Sequence, residues 1–393
     1  MPPPDTITLF LSGDVMTGRG IDQILPHPSD PRLFESWARS AIDYVRLAER
    51  ASGAIPRPVA FDYVWGDANE IWSLQEPDAR IINLETAITA SEDADPEKGI
   101  HYRMHPANVP CLTAAGIDCC VLANNHVLDW GGRGLKDTLS ALHGAGIATA
   151  GAGQTEAEAS SPAVIAIPRG RLLVYGFGFS SSGVPRAWRA TRSGAGVNWL
   201  ADPSNRSADS VRQRIERDRR PGDLVVVSLH WGGNWGYGIS PSEREFAHRL
   251  IDSAGVDLVH GHSSHHPKGI EVYRGKTVLY GCGDLLNDYE GIQGHESFRP
   301  ELGLMYFPVI DTTGGELVAL TLVPVRTRRF RLQKASVEET TWLATMMDRE
   351  CRRLGACGVR HRNGELVIDW ARDPPSRPSE ALASEPSDDA YEP

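Results

Sequence analysis

Short apolar runs that stop on a carboxylate, an amide or an imidazole recur along this chain. Residues 7–12 (ITLFLS) end at Gly13-Asp14, and residues 79–84 (ARIINL) end in Asn83, Leu84 and then Glu85. Residues 118–123 (DCCVLA) run into Asn124, Asn125 and His126, and residues 223–229 (DLVVVSL) run into His230. A fifth apolar run opens a segment that holds His260, His262, His265 and His266 within seven positions. Runs this short, rich in β-branched residues and bounded by glycine and polar residues, predict buried strands. In open α/β sheets, ligands gather at the C-terminal strand edge.

Between the runs lie stretches of helical periodicity. Residues 31–51 place Leu33, Trp37, Ala41, Tyr44, Val45 and Ala48 near one face, and helices are also predicted over 107–116, 135–144, 204–219, 241–254 and 337–354. Short strands at 148–153, 163–167 and 172–177 suggest that the chain moves on to a second sheet. Residues 302–310 and 316–325, joined by Thr312-Thr313-Gly314-Gly315, read as a hairpin that RFRLQKA extends, with a last strand near 366–370. The alternation of strands and helices gives an α/β class.

With 393 residues, 41% of them hydrophobic, the chain can bury a sizeable core. The expected organisation is a domain over 1–372, with 301–372 packed on it, and a disordered acidic tail at 373–393 that holds six acids, one arginine and five prolines. A net charge of -11 argues against nucleic-acid or anionic-membrane partners. A small-molecule or polymer substrate that is itself anionic remains compatible, because a bound cation reverses the local field. The six cysteines form no CxxC pair and read as reduced, buried thiols. The MPPPDTITLFLSGD start has neither a basic residue nor a long apolar core, and no transmembrane stretch follows, so a cytoplasmic location is expected.

Carboxylate, amide and imidazole groups gathered from several strand ends suit a divalent Zn, Mn or Fe ion, and the lack of thiolates argues against a structural zinc. The bland alternative is a set of polar loops, with Asp14 and Asn125 forming turns through their own backbone.

The motifs GDVM (Gly13 to Met16), NLE (Asn83 to Glu85), NNHVLDWG (Asn124 to Gly131), HWG (His230 to Gly232) and GHSSH (Gly261 to His265) resemble the CapA family. That family is named for poly-γ-glutamate capsule synthesis and shares the calcineurin-like metallophosphoesterase fold. The resemblance implies a four-layer α-β-β-α sandwich of two mixed sheets, with one or two metal ions at the sheet edges. It also implies a ligand set of Asp14, Glu85 in the bridging position, Asn125, His230, His262 and His265, with His126 as a general acid or charge stabiliser. Met16 stands where the wider phosphoesterase pattern has a histidine, which weakens one metal position.

The surrounding residues have competing roles. His265 and His266 compete for one ligand role, and motif spacing favours His265. His260 is expected to be buried and to orient a ligand. Asp129 either holds His126 in one tautomer or caps the following helix. Asp284 and Asp288 are candidates to support the site or belong to a solvated loop. Arg19, Asn83, Trp231 and Tyr237 are candidates for substrate contacts, against an ion pair for Arg19 and packing for the aromatics. The expected function is a metal-dependent hydrolase that activates water against a phosphoester or amide-like bond. The alternatives are an amidase or amide-forming enzyme on γ-glutamyl substrates and a non-catalytic accessory protein.

Overall fold

The computed structural model describes residues 5–355 and 357–370; the predicted tail at 373–393 lies outside them. The chain first lays down β1 (Thr6–Val15), β2 (Ala79–Leu84), β3 (Cys119–Val121) and β4 (Ala148–Ala150), all parallel and adjacent in that order. It then crosses to a second sheet, whose centre is β5 (Gly170–Phe179), β6 (Leu224–His230), β7 (Leu258–His262), β8 (Ile270–Tyr273) and β9 (Lys276–Leu279). In this sheet β5, β6, β7 and β9 run parallel in that order, and β8 pairs antiparallel with β9 at the edge. The chain returns to the first sheet through β10 (Asp284–Leu286), β11 (Leu302–Asp311), β12 (Leu317–Thr327), β13 (Cys357–Arg362) and β14 (Glu365–Trp370). β1 is the hub: it runs parallel to β2 and β10 and antiparallel to β11.

Alternation along the strands builds the layers, because successive side chains point to opposite faces. Ile7, Leu9 and Leu11 of β1 and Ile81 of β2 meet Leu172, Val174, Leu224, Val226 and Leu258 in a core between the sheets. The intervening Phe10 and Ile82 pack outward against Trp72 and Leu135 of the flanking helices. On the other side Val225, Val227, Leu229 and Val259 pack outward against Val211, Ile215, Phe246 and Leu250. The result is the expected α-β-β-α sandwich.

Three elements differ from the sequence reading. The helix expected over 31–51 begins only at Ile42, because Glu35 leaves the helical path to reach Arg19 inside the fold. The run 148–153 splits at Gly151, φ +87°, so that 148–150 completes the first sheet while Ala152–Gly153 pairs with Gly196–Val197. The helix expected over 107–116 forms only at Pro110–Ala114, behind a short 3-10 turn at Pro106–Asn108.

Candidate active site

The parity that builds the inter-sheet core also delivers the site. In β6, Leu224 and Val226 face the seam, so Ser228 and His230 follow them; in β7, Leu258 is followed by His260 and His262. In β2, Ala79 and Ile81 lead to Asn83. Only β1 needs a device, because Leu11 faces inward and Asp14 has the opposite parity. The pairing of β1 slips by one residue around Gly13, a bulge that turns Asp14 into the seam and Val15 out to the helices. Gly13 is required there: a Cβ would lie 1.7 Å from the Gly283 carbonyl oxygen.

Asp14 is fully buried. Its Oδ1 accepts a hydrogen bond from Asn83 Nδ2 at 2.7 Å and lies 3.8 Å from His262 Nδ1, while Oδ2 has no hydrogen-bond partner. Asn83 Nδ2 also reaches Glu85 Oε2 at 3.0 Å. Glu85 Oε1 is 3.8 Å from His230 Nε2 and 4.0 Å from His126 Nε2. Burial and Asp284 push the Asp14 carboxyl up to about 7, although His265 pulls it down. Burial and Asp14 likewise raise Glu85. Carboxylates gathered in this way favour a cation.

With each imidazole neutral and Asn125 Oδ1 as the acceptor, the hydrogen bonds fix where the imidazole protons lie. His260 Nε2–H donates to the Ser12 carbonyl at 2.8 Å, so its Nδ1 accepts from the Ser228 hydroxyl at 3.0 Å. Ser228 Oγ then accepts from His262 Nε2–H at 2.8 Å, which leaves His262 Nδ1 bare. His230 Nε2–H donates to Asn125 Oδ1 at 3.0 Å, leaving its Nδ1 bare as well. These two bare nitrogens face each other at 2.8 Å beside Asp14. Two lone pairs at this distance repel unless a cation lies between them.

Two buried groups with metal-ligating geometry result: Asp14, His230 and His262, and Asp14, His265 and Asp284. They share Asp14. His265 Nδ1 is 2.9 Å from Asp284 Oδ1, and Asn287 Nδ2 donates to Asp284 Oδ2 at 2.7 Å. β10 places Asp284 directly beside Asp14. These donors fit a divalent ion of the Zn, Mn or Fe class, through imidazole and carboxylate groups. Met16 is buried with its N–H on the Leu286 carbonyl.

His126 flanks this centre. Its Nδ1 is 2.7 Å from Asp129 Oδ2, and Asp129 also accepts from Lys98 Nζ at 2.5 Å and from the Tyr102 N–H at 2.7 Å. Asp129 therefore holds the imidazole; the helix at Gly131 starts without a side-chain cap. Burial outweighs Asp129 and, helped by Lys98, brings His126 down to about 4.

Other sequence candidates fall outside this cluster. Arg19 is buried in an ion pair with Asp288 and Glu35, and its guanidinium lies 3.8 Å and 4.3 Å from the ring centroids of Tyr44 and Tyr102. Trp231 is buried, bonds the Tyr280 carbonyl and belongs to the outer core. Tyr237 packs on His266 and Phe298, and His266 bonds the Pro267 carbonyl. Sequence reasoning missed Asn124, which donates to Asn83 Oδ1 and the Leu84 carbonyl and accepts from the His126 N–H. It also missed Ser228 and Lys98; Ser228 could have been found from its parity with His230, whereas Lys98 lies in a charged loop with no such signal.

Among the described residues no helix is long and apolar enough to cross a membrane. Residues 8–289 match the family described as bacterial capsule synthesis protein. A probable polyglutamine synthesis accessory protein of Mycobacterium tuberculosis is 51% identical over 367 residues, covering 93% of this chain and 96% of the relative. The capsule biosynthesis protein CapA of Bacillus anthracis is 25% identical over 288 residues, 72% of this chain and 60% of the relative. A phosphatase structure from Mycoplasma pneumoniae has a TM-score of 0.47 at 10% identity, covering 86% of this chain and 96% of that one, a likeness too low to bear on the reaction. With its ordered motifs falling inside the matched span, the chain belongs to the bacterial capsule synthesis protein family.

Proposed function

We propose that the chain is a metal-dependent hydrolase that attacks a phosphoester or amide-like bond in the synthesis or handling of an anionic, amide-linked polymer. The observation that carries this reading is the close approach of two imidazole nitrogens, His230 Nδ1 and His262 Nδ1, 2.8 Å apart beside the unpartnered Asp14 Oδ2. Asp14, His230 and His262 would hold one ion, and Asp14, His265 and Asp284 a second. A divalent ion bound there supplies Lewis acidity and lowers the pKa of a water toward neutrality. Asn83 keeps Asp14 aimed into the seam, and Asn125 and Ser228 fix which imidazole nitrogens are bare. His126 holds its proton on Nδ1 against Asp129 and turns Nε2 toward Glu85, where it can take or return a proton at the reacting group. The polymer context comes from the relatives' names, which speak of polyglutamine synthesis and capsule biosynthesis.

The test is the metal content of protein grown with Mn, Fe and Zn, with His230→Ala as control. A parallel screen uses aryl phosphates, phosphodiesters and γ-glutamyl amides. Near-stoichiometric metal and a rate that drops about 100-fold or more in His126→Ala are expected. Less than about 0.2 metal per chain would sink the reading. Metal without turnover on any of these substrates would favour an accessory role.

A further inference from the structure

A second site lies outside the histidine cluster. After β5 the chain passes the candidate active site, where Ser182 Oγ donates to the His230 carbonyl at 2.6 Å and Trp188 Nε1 donates to Asp95 Oδ2 at 3.2 Å. It then runs along a surface groove lined by Arg186, Arg189 and Arg192, which continues past Glu156 to Arg214 and Arg217 of the helix Asn205–Asp218. Five arginines against one acid is a local excess opposite in sign to the chain's net charge of -11.

Little of this charge is used by the fold. Among the described residues the side chains of Arg186 and Arg192 make no hydrogen bond or ion pair, and both are exposed. Glu156 pairs only with Arg189, at 3.1 Å and in solvent, so a competing carboxylate can displace it. Arg217 is held by Asp218. Arg214 donates to Asn198 Oδ1 and has no carboxylate partner, and burial together with Arg189 and Arg217 lowers its pKa despite Glu156.

We propose that this groove binds an extended polycarboxylate chain and leads it toward the candidate active site. Planar guanidinium forks match carboxylates two bonds at a time. The groove lining contains no aromatic ring on which bases could stack, which disfavours a single-stranded nucleic acid. Binding here is independent of the hydrolase reading, which bears only on what happens to the polymer afterwards.

The experiment is fluorescence anisotropy of labelled deca-glutamate with the full chain, alongside an oligothymidylate of equal length. It is repeated with His230→Ala to remove the histidine cluster from the result. The expected result is salt-sensitive binding to deca-glutamate that weakens about tenfold or more in the Arg186→Gln/Arg192→Gln double variant. The parent affinity is expected in the control double variant Arg133→Gln/Lys136→Gln on another helix, and the loss caused by Arg186→Gln/Arg192→Gln is expected to persist on the His230→Ala background. No binding at about 1 mM peptide, equal losses in both double variants, or tighter binding of the oligothymidylate would each overturn the proposal.

Discussion

Replacing Arg19 with methionine isolates a structural charge from a substrate-binding one. The guanidinium donates to Asp288 at 3.1 and 2.5 Å, to Glu35 at 2.9 Å and to the Tyr44 hydroxyl at 2.7 Å. The side chains of Asp288 and Glu35 are 0% and 2% exposed. Methionine keeps only the aliphatic stem of the side chain and leaves two carboxylates buried without their cation. Breaking a buried pair in this way costs about 3–5 kcal/mol, and lost stacking between Tyr44 and Tyr102 adds about 1 kcal/mol. Against a typical total of about 5–15 kcal/mol, the variant sits near the edge of folding. Urea unfolding followed by tryptophan fluorescence should show a lower midpoint with an unchanged slope. Adding Asp288→Asn and Glu35→Gln should restore about 2 kcal/mol, since all three changes act on one network. A loss under about 1 kcal/mol, accompanied by weaker substrate binding, would refute the structural role and return Arg19 to the list of substrate contacts.

Addition of Mn or Zn should raise the melting temperature by on the order of 3 °C or more at saturating metal, and Asp14→Asn should abolish the rise; an unchanged shift in that variant would exclude Asp14 as a ligand. Gly13→Ala should destabilise the chain by about 3 kcal/mol or more, because its methyl would meet the rigid Gly283 carbonyl at 1.7 Å; a denaturation midpoint equal to that of the parent would show that the bulge relaxes freely. Burial raises the Glu271 pKa, but His248, Arg244 and Tyr280 together hold it below its ordinary 4.5. Its stabilisation is therefore present above pH 4.5 and lost as pH falls through the lowered value, so Glu271→Gln should flatten the acid limb of the stability profile; parallel limbs in parent and variant would contradict this.

The strand ends were legible in the sequence because a buried strand has period two and a polar stop is conspicuous. Asn83, His230 and His262 could be placed on one edge from that pattern alone. The role of Asp284 was not legible, because its β-strand is three residues long and its place beside Asp14 is set by pairing across the fold. Arg19 resembled a ligand contact because nothing near it in sequence shows that Glu35 and Asp288 converge on it. The helix expected from residue 31 lost its first part to the same convergence, a tertiary demand overriding local periodicity.

The hub position of β1 also sets an order of events during synthesis. Asp14 leaves the ribosome long before Asp284, which follows only after β2 to β9 have been made. Until β10 pairs with β1, the pocket lacks a wall and one of its acids. A nascent chain short of residue 284 therefore lacks one acid of the proposed ligand set, and on that proposal metal at both positions would mark molecules whose synthesis and folding have passed this residue. A chain stopped before residue 284 would still carry Asp14, His230 and His262, and so could load one of the two proposed positions at most.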